Sequence, residues 1–204
     1  VITTSMMLMR TAYLSTHEVI NGQWPKERID RGKEVLGSVL GIVGFGSIGQ
    51  ITADLALKMG FRVVTNTHKK SSIEQSLIDG VTYVTLEELI TISDIISLHL
   101  PYTAESKNLF NKSTIARMKP GAILINTARG GIVDDDALIE AILSGHLSGA
   151  AIDVFENEPL VNSPKYNNVP NLILTPHIAG ITQQSEKRVN KLVVERVLEV
   201  LANK

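Results

Sequence analysis

The chain has no cysteine. Disulfides, thiolate nucleophiles and cysteine-ligated zinc are therefore excluded. A disulfide-free chain suits a reducing cytoplasm, which is the expected compartment. An excess of charge of either sign is also lacking: 20 Lys and Arg face 21 Asp and Glu, for a formal net charge of −1. No long-range field then favours nucleic acid or an anionic membrane. No basic stripe interleaved with aromatics marks a nucleic-acid surface. Long apolar runs are missing too. The runs Met6 to Met9 and Gly149 to Phe155 fall far short of the roughly 20 residues that span a bilayer. No signal-peptide pattern is present. Val1 to Leu14 reads as the middle of a helix, so the expectation is that an N-terminal portion of the protein lies outside this chain.

What is present describes a globular protein. Hydrophobic residues make up 44% and charged residues 20% of 204 positions, enough for one substantial domain with a real core. Short apolar runs alternate with helical stretches. Val39 to Val43, Phe61 to Val64, Val81 to Val84, Ile95 to Leu100, Ala122 to Asn126, Ala150 to Val154 and Leu172 to Leu174 are strand candidates. Their nearly continuous apolarity is expected of strands covered on both faces. Ser47 to Met59 and Asp134 to Leu143 carry helical spacing. The alternation predicts an α/β fold, a parallel sheet doubly wound with helices on both faces. Val161 to Pro170 reads as a loop. Near the C-terminus, Val189, Leu192, Val193, Val197, Val200 and Leu201 fall on one helical face.

The segment Gly44-Phe45-Gly46-Ser47-Ile48-Gly49 follows a predicted strand and opens a predicted helix. In that context a G-x-G-x-x-G run indicates a dinucleotide site. Gly44 permits the tight turn, Gly46 lets backbone approach a pyrophosphate, and Gly49 lets helix and strand pack closely. The amides of the first helical turn, at Ser47 and Ile48, then face the phosphates.

The end of the second strand separates the two nicotinamide cofactors. An acidic residue there binds the ribose 2′-hydroxyl of NAD. This chain has Thr67-His68-Lys69-Lys70 instead. A carboxylate would repel a 2′-phosphate, and this cluster would attract one. The expectation is NADP, with NAD possible.

Three further residue types follow successive strands: Arg129, a glutamate at 156 or 158, and His177. In an open parallel sheet the carboxyl ends of the strands line one crevice. Reduction of a 2-keto acid needs a proton for the carbonyl oxygen, which a histidine supplies near neutral pH. A neighbouring carboxylate favours the imidazolium. Arginine presents a planar fork that matches a substrate carboxylate.

At these residues the chain resembles the D-isomer-specific 2-hydroxyacid dehydrogenase family. The likeness extends over nearly the whole chain. It rests on the glycine loop, Ser97-Leu98-His99-Leu100-Pro101, Met118-Lys119-Pro120-Gly121-Ala122, and the segments Asn126 to Gly131, Asp153 to Pro159 and Thr175 to Gly180. The resemblance implies that Arg129 binds the substrate carboxylate and helps polarise the carbonyl, that His177 is the acid/base, and that Glu158, directly before Pro159, is its partner. It implies that Asp153 holds the nicotinamide carboxamide. Leu100, Pro101, Thr127, Ala128 and Gly180 would belong to the cofactor cleft.

It further implies three regions: 1–14 as a helix connecting to a substrate domain largely outside this chain, 15–180 as a Rossmann-type dinucleotide-binding domain, and 181–204 as a helix returning toward the other domain. The substrate would be a small 2-keto or 2-hydroxy acid, such as glyoxylate or hydroxypyruvate, and the protein a homodimer. Two alternatives are a dinucleotide-sensing protein like the family's transcriptional corepressors and a different oxidant target, such as phosphite.

Other residues have plainer readings. Asp134-Asp135-Asp136 reads as a helix start with an Asp cap, and no metal site is expected. His17 and His146 read as surface residues, and His99 as a packing residue beside the cleft. Trp24 is expected to anchor a loop onto the domain.

Overall fold

The computed structural model describes residues 1–27, 32–66 and 78–202. Seven strands form one sheet: β1 (Val39–Val43), β2 (Arg62–Asn66), β3 (Val81–Tyr83), β4 (Ile95–Leu98), β5 (Ala122–Asn126), β6 (Leu147–Ile152) and β7 (Leu172–Leu174). Their spatial order is β3-β2-β1-β4-β5-β6-β7, and every neighbouring pair is parallel. The order reverses direction between β1 and β4. In a doubly wound sheet a ligand crevice opens at that switch point, outside the carboxyl ends of the strands.

Helices cover both faces. On one face α1 (Ile2–Arg10) and α3 (Ser47–Lys58) bury Leu8, Met9, Ala53 and Ala56 against Leu40, Ile42, Ile95, Ile123 and Ile125. On the other, α4 (Leu86–Ile92), α5 (Lys112–Ala116) and α6 (Asp135–Leu143) bury Leu89, Ile90, Ile115, Leu138 and Ile142 against Val43, Ile96, Leu98 and Leu124. β1, β4 and β5 are buried at every position, which explains their unbroken apolarity. Side-chain caps fix helix starts. The Asn111 side chain accepts from the Thr114 amide on α5. Thr85 and Glu88 form a capping box on α4, and the Asp134 carboxylate accepts from the Asp136 and Ala137 amides on α6.

Several expectations are corrected. The N-terminal helix is broken at Thr11, which sits in the left-handed region with φ 49°, and α2 (Ala12–Ile20) follows. Leu8 and Met9 of α1 are core residues. β6 runs earlier than its apolar run suggests. Leu147 and Gly149 pair with β5, and Asn171 occupies the place that a Cβ at Gly149 would take. β2 begins and ends later than expected, and β4 stops at Leu98. Trp24, expected to anchor a loop, is 79% exposed among the described residues. His146 is half-buried, and its Nε2 is 3.0 Å from the Ile115 carbonyl oxygen.

The last helix, α7 (Gln183–Ala202), buries no residue. The apolar row expected on it is present and open, with each of Val189, Leu192, Val193, Val197, Val200 and Leu201 between 53% and 61% exposed. Among the described residues, no helix is long and apolar enough to cross a membrane.

Candidate active site

The glycine loop joins β1 to α3 as its sequence predicts, and each glycine meets a separate demand. Gly44 has φ +96°, and a Cβ there would stand 2.5 Å from the His99 carbonyl oxygen. Gly49 faces the Gly44 carbonyl so closely that a Cβ would overlap it. Gly46 differs, since a Cβ built there would meet nothing within 4 Å. Its missing side chain serves no contact inside the chain. It leaves open space above the start of α3, whose N-terminus has no side-chain cap. Exposed first-turn amides beside such a space form a cradle for an anionic group. The residues therefore fit a dinucleotide pyrophosphate. Ser47 and Ile48 are exposed on the rim of this cradle.

The other expected cleft residues lie at neighbouring strand ends. Leu100 and Pro101 follow β4, with a Leu100 methyl 2.9 Å from the place of a Gly44 Cβ. Thr127 is half-buried and Ala128 buried just beyond β5. Gly180 lies exposed before α7. Thr67, His68, Lys69 and Lys70 lie outside the described residues.

His99 also follows β4. It is half-buried, with Nε2 3.0 Å from the Ser97 hydroxyl. Burial pushes its imidazole down to about 4. It therefore stays uncharged at neutral pH, as suits a packing residue.

Asp153 stands just past β6 and is 2% exposed. Its carboxylate accepts from the Thr175 hydroxyl at 2.5 Å, the Ile178 amide at 2.8 Å and the Ala179 amide at 2.9 Å. These bonds straddle His177, so Asp153 fixes the loop that carries the histidine. Sequence reasoning missed this role. The only signal was a carboxylate ending an apolar strand, where burial demands partners.

His177 and Glu158, nineteen residues apart in sequence, meet in space. His177 Nδ1 lies 2.7 Å from Glu158 Oε2. The other carboxylate oxygen, Oε1, accepts from the Phe155 amide at 2.9 Å. The His177 hydrogen bond, and after it the Phe155 amide, hold the Glu158 carboxyl below its ordinary range. The pair is open: the side chains of His177 and Glu158 are 49% and 35% exposed. Beside it runs a cleft of about 570 Å³ with an apolar wall of Phe155, Pro159, Leu160, Leu174 and Pro176. Glu156, the other glutamate considered, is exposed and has no hydrogen bond to a described residue.

Arg129 lies on the exposed turn after β5, with Nη1 donating to the Ala128 carbonyl at 2.6 Å. The buried Asn126 shapes that turn. It accepts from the Ala128 amide at 3.0 Å and donates to the Arg129 carbonyl at 3.0 Å. An Asn closing a buried strand was the readable sign of this function. Among the described residues no cluster of His, Asp and Glu could hold a metal.

The chain is similar to known proteins in sequence and fold. Residues 2–179 match the family described as D-isomer specific 2-hydroxyacid dehydrogenase, NAD binding domain. The chain is 40% identical over 201 residues to an (S)-sulfolactate dehydrogenase of Chromohalobacter salexigens, covering 98% of this chain and 65% of that protein. It is 39% identical over 189 residues to a hydroxypyruvate reductase of Thermotoga maritima, covering 92% of this chain and 60% of that protein. Among solved structures it resembles a D-lactate dehydrogenase of Aquifex aeolicus complexed with NAD and lactic acid. There the TM-score is 0.85 and the identity 32%, over 99% of this chain and 65% of that one. The chain thus spans less than two thirds of the length of these relatives. With its sheet order, glycine loop and paired Glu158 and His177, the chain belongs to the D-isomer-specific 2-hydroxyacid dehydrogenase family and is a Rossmann-type NAD-binding domain of that family.

Proposed function

We propose that this chain is the dinucleotide-binding and proton-donating part of an enzyme that interconverts small 2-keto and 2-hydroxy acids. The observation that carries the reading is the 2.7 Å contact between His177 and Glu158 at the carboxyl edge of the sheet. That edge also carries the glycine cradle and the Arg129 turn. A nicotinamide dinucleotide, when bound, supplies or accepts the hydride. The chain's residues do the rest. Gly44, Gly46 and Gly49 shape the pyrophosphate cradle, with the amides of Ser47 and Ile48 at its rim. Asp153 Oδ2, which accepts from the Ala179 amide, would also accept from a carboxamide. The guanidinium of Arg129 takes the substrate carboxylate and polarises the adjacent carbonyl. With Nδ1 engaged by Glu158, His177 donates from Nε2 to the carbonyl oxygen. Hydride on carbon and proton on oxygen give the 2-hydroxy acid, and the reverse reaction returns both.

The enzymatic names of the relatives support catalysis over the dinucleotide-sensing alternative. We propose NADP as the preferred cofactor, on the sequence Thr67-His68-Lys69-Lys70. We propose a second domain as the other wall of the site, reached from α7, and a homodimer as the working form, in the cytoplasm. The apolar row left open on α7 supports a protein partner for that helix.

The test is turnover by the complete protein on a panel of 2-keto acids including glyoxylate and hydroxypyruvate, with NADPH and NADH. Reduction of at least one acid is expected, faster with NADPH. No turnover on any acid overturns the reading. Equal or better efficiency with NADH overturns the NADP assignment alone. In Thr67→Asp the efficiency with NADPH falls further than that with NADH.

A further inference from the structure

Three loops at the carboxyl edge are locked into a single row. The Arg129-Gly130-Gly131 turn lies against the backbone that follows β6. A Cβ built at Gly130 would overlap the Phe155 carbonyl group and stand 2.5 Å from the Glu156 amide nitrogen. Both neighbours are backbone and cannot swing aside. On its far side the same stretch of backbone holds the carboxylate of the acid/base pair, through the 2.9 Å bond from the Phe155 amide to Glu158. On the near side the Tyr102 ring backs the turn. A Cβ at Gly131 would stand 2.9 Å from that ring, and the Asn108 amide donates to the Gly131 carbonyl at 2.8 Å.

We propose that Gly130 is a positioning residue that sets the spacing between Arg129 and the Glu158–His177 pair, with Tyr102 bracing it from behind, and that this spacing selects acids whose carbonyl adjoins the carboxylate. The proposal rests on the function argued above. A 2-keto acid separates its carboxylate from its reducible oxygen by one carbon–carbon bond, and a 3-keto acid by two. A site that grips the carboxylate at Arg129 and delivers the proton from His177 distinguishes them by the distance between those side chains. In this chain the distance is carried by backbone contact. Any side chain at 130 pushes the arginine turn away from the glutamate's support.

The experiment compares the complete wild-type protein with Gly130→Ala, Tyr102→Ala, Tyr102→Phe and Arg129→Lys. The readouts are NADPH affinity and kcat/KM for hydroxypyruvate and for 3-oxobutanoate. Gly130→Ala is expected to keep its NADPH affinity and lose about 100-fold in kcat/KM on the 2-keto acid, the scale of an ångström of misplacement. The ratio of 2-keto to 3-keto efficiency falls with it. Tyr102→Ala moves the ratio the same way by less, and Tyr102→Phe restores it, because the ring and not the hydroxyl makes the contact. A merely structural defect would lower both efficiencies together and leave the ratio in place. An unchanged ratio in Gly130→Ala, in a protein where Arg129→Lys has raised KM for hydroxypyruvate, overturns the proposal alone. If Gly130→Ala no longer binds NADPH, the ratio in Tyr102→Ala decides. No wild-type turnover, or an Arg129→Lys protein with normal KM, overturns the functional reading and this proposal with it.

Discussion

Asp153 and His177 follow neighbouring strands of one sheet, yet they live in opposite environments. Asp153 is buried with three hydrogen bonds to the next loop. The His177 side chain is about half exposed and held by a single partner. Asp153 is fixed by hydrogen bonds made within this chain. The Glu158–His177 pair is formed but open, and the hydride transfer we propose for this site wants a water-poor cleft. One side of the site is therefore a matter of folding, the other of chemistry.

Substitutions on the two sides should separate these roles. Asp153→Ala is expected to have the largest effect. It orphans the Thr175 hydroxyl and two amides, at a cost of about 3 kcal/mol if each partner lost is worth about 1. Urea unfolding should show this loss, and dinucleotide titration should show weakened binding. His177→Ala should leave stability and dinucleotide affinity nearly unchanged while turnover falls roughly 100-fold or more, the usual scale for a general acid. Near-normal turnover in that variant would remove His177 from the mechanism.

Glu158→Gln should cost less, because His177 Nδ1 keeps a neutral amide oxygen as its acceptor in place of a carboxylate. Its clearest signature is in pH. The Glu158 carboxyl is held below its ordinary range. The Glu158 carboxylate is therefore ionised throughout and above the normal carboxylate range, and its charge is lost only as pH falls through the lowered value. An acid limb in the wild-type profile of kcat/KM that vanishes in Glu158→Gln would fit. A limb unchanged by the substitution would not.

The smallest effect belongs to α7. Leu198 is 60% exposed on a helix that buries none of its residues, so Leu198→Glu should move the stability of this chain by no more than about 0.5 kcal/mol, as read by thermal unfolding.

The same contrast explains what the sequence could and could not reveal. Strands buried on both faces declare themselves by unbroken apolarity, so β1 and β5 were legible to the residue. The glycine loop was legible because three local demands fall on three spaced glycines. Arg129, Glu158 and His177 could be named from strand ends and family likeness. The contacts that position them could not, because they depend on which backbones touch. The clamp by Asp153, the turn shaped by Asn126 and the approach of Gly130 to Phe155 are all of this kind. Boundary errors had the same origin. β6 begins at Leu147, and its Gly149 only makes sense once Asn171 is seen to cross it. Trp24 is 79% exposed, although its size suggested packing.

The central claim, that this chain's glycine loop is built around a dinucleotide, is tested most directly at Gly46, where a Cβ would meet no protein atom within 4 Å. NADPH and NADH binding to wild type and Gly46→Val should be followed by reduced-nicotinamide fluorescence, with unfolding measured in parallel. The account predicts that stability falls by no more than about 1 kcal/mol, the scale of a helix-cap change, while binding of both dinucleotides is lost. A Gly46→Val protein that binds them as tightly as wild type would contradict it.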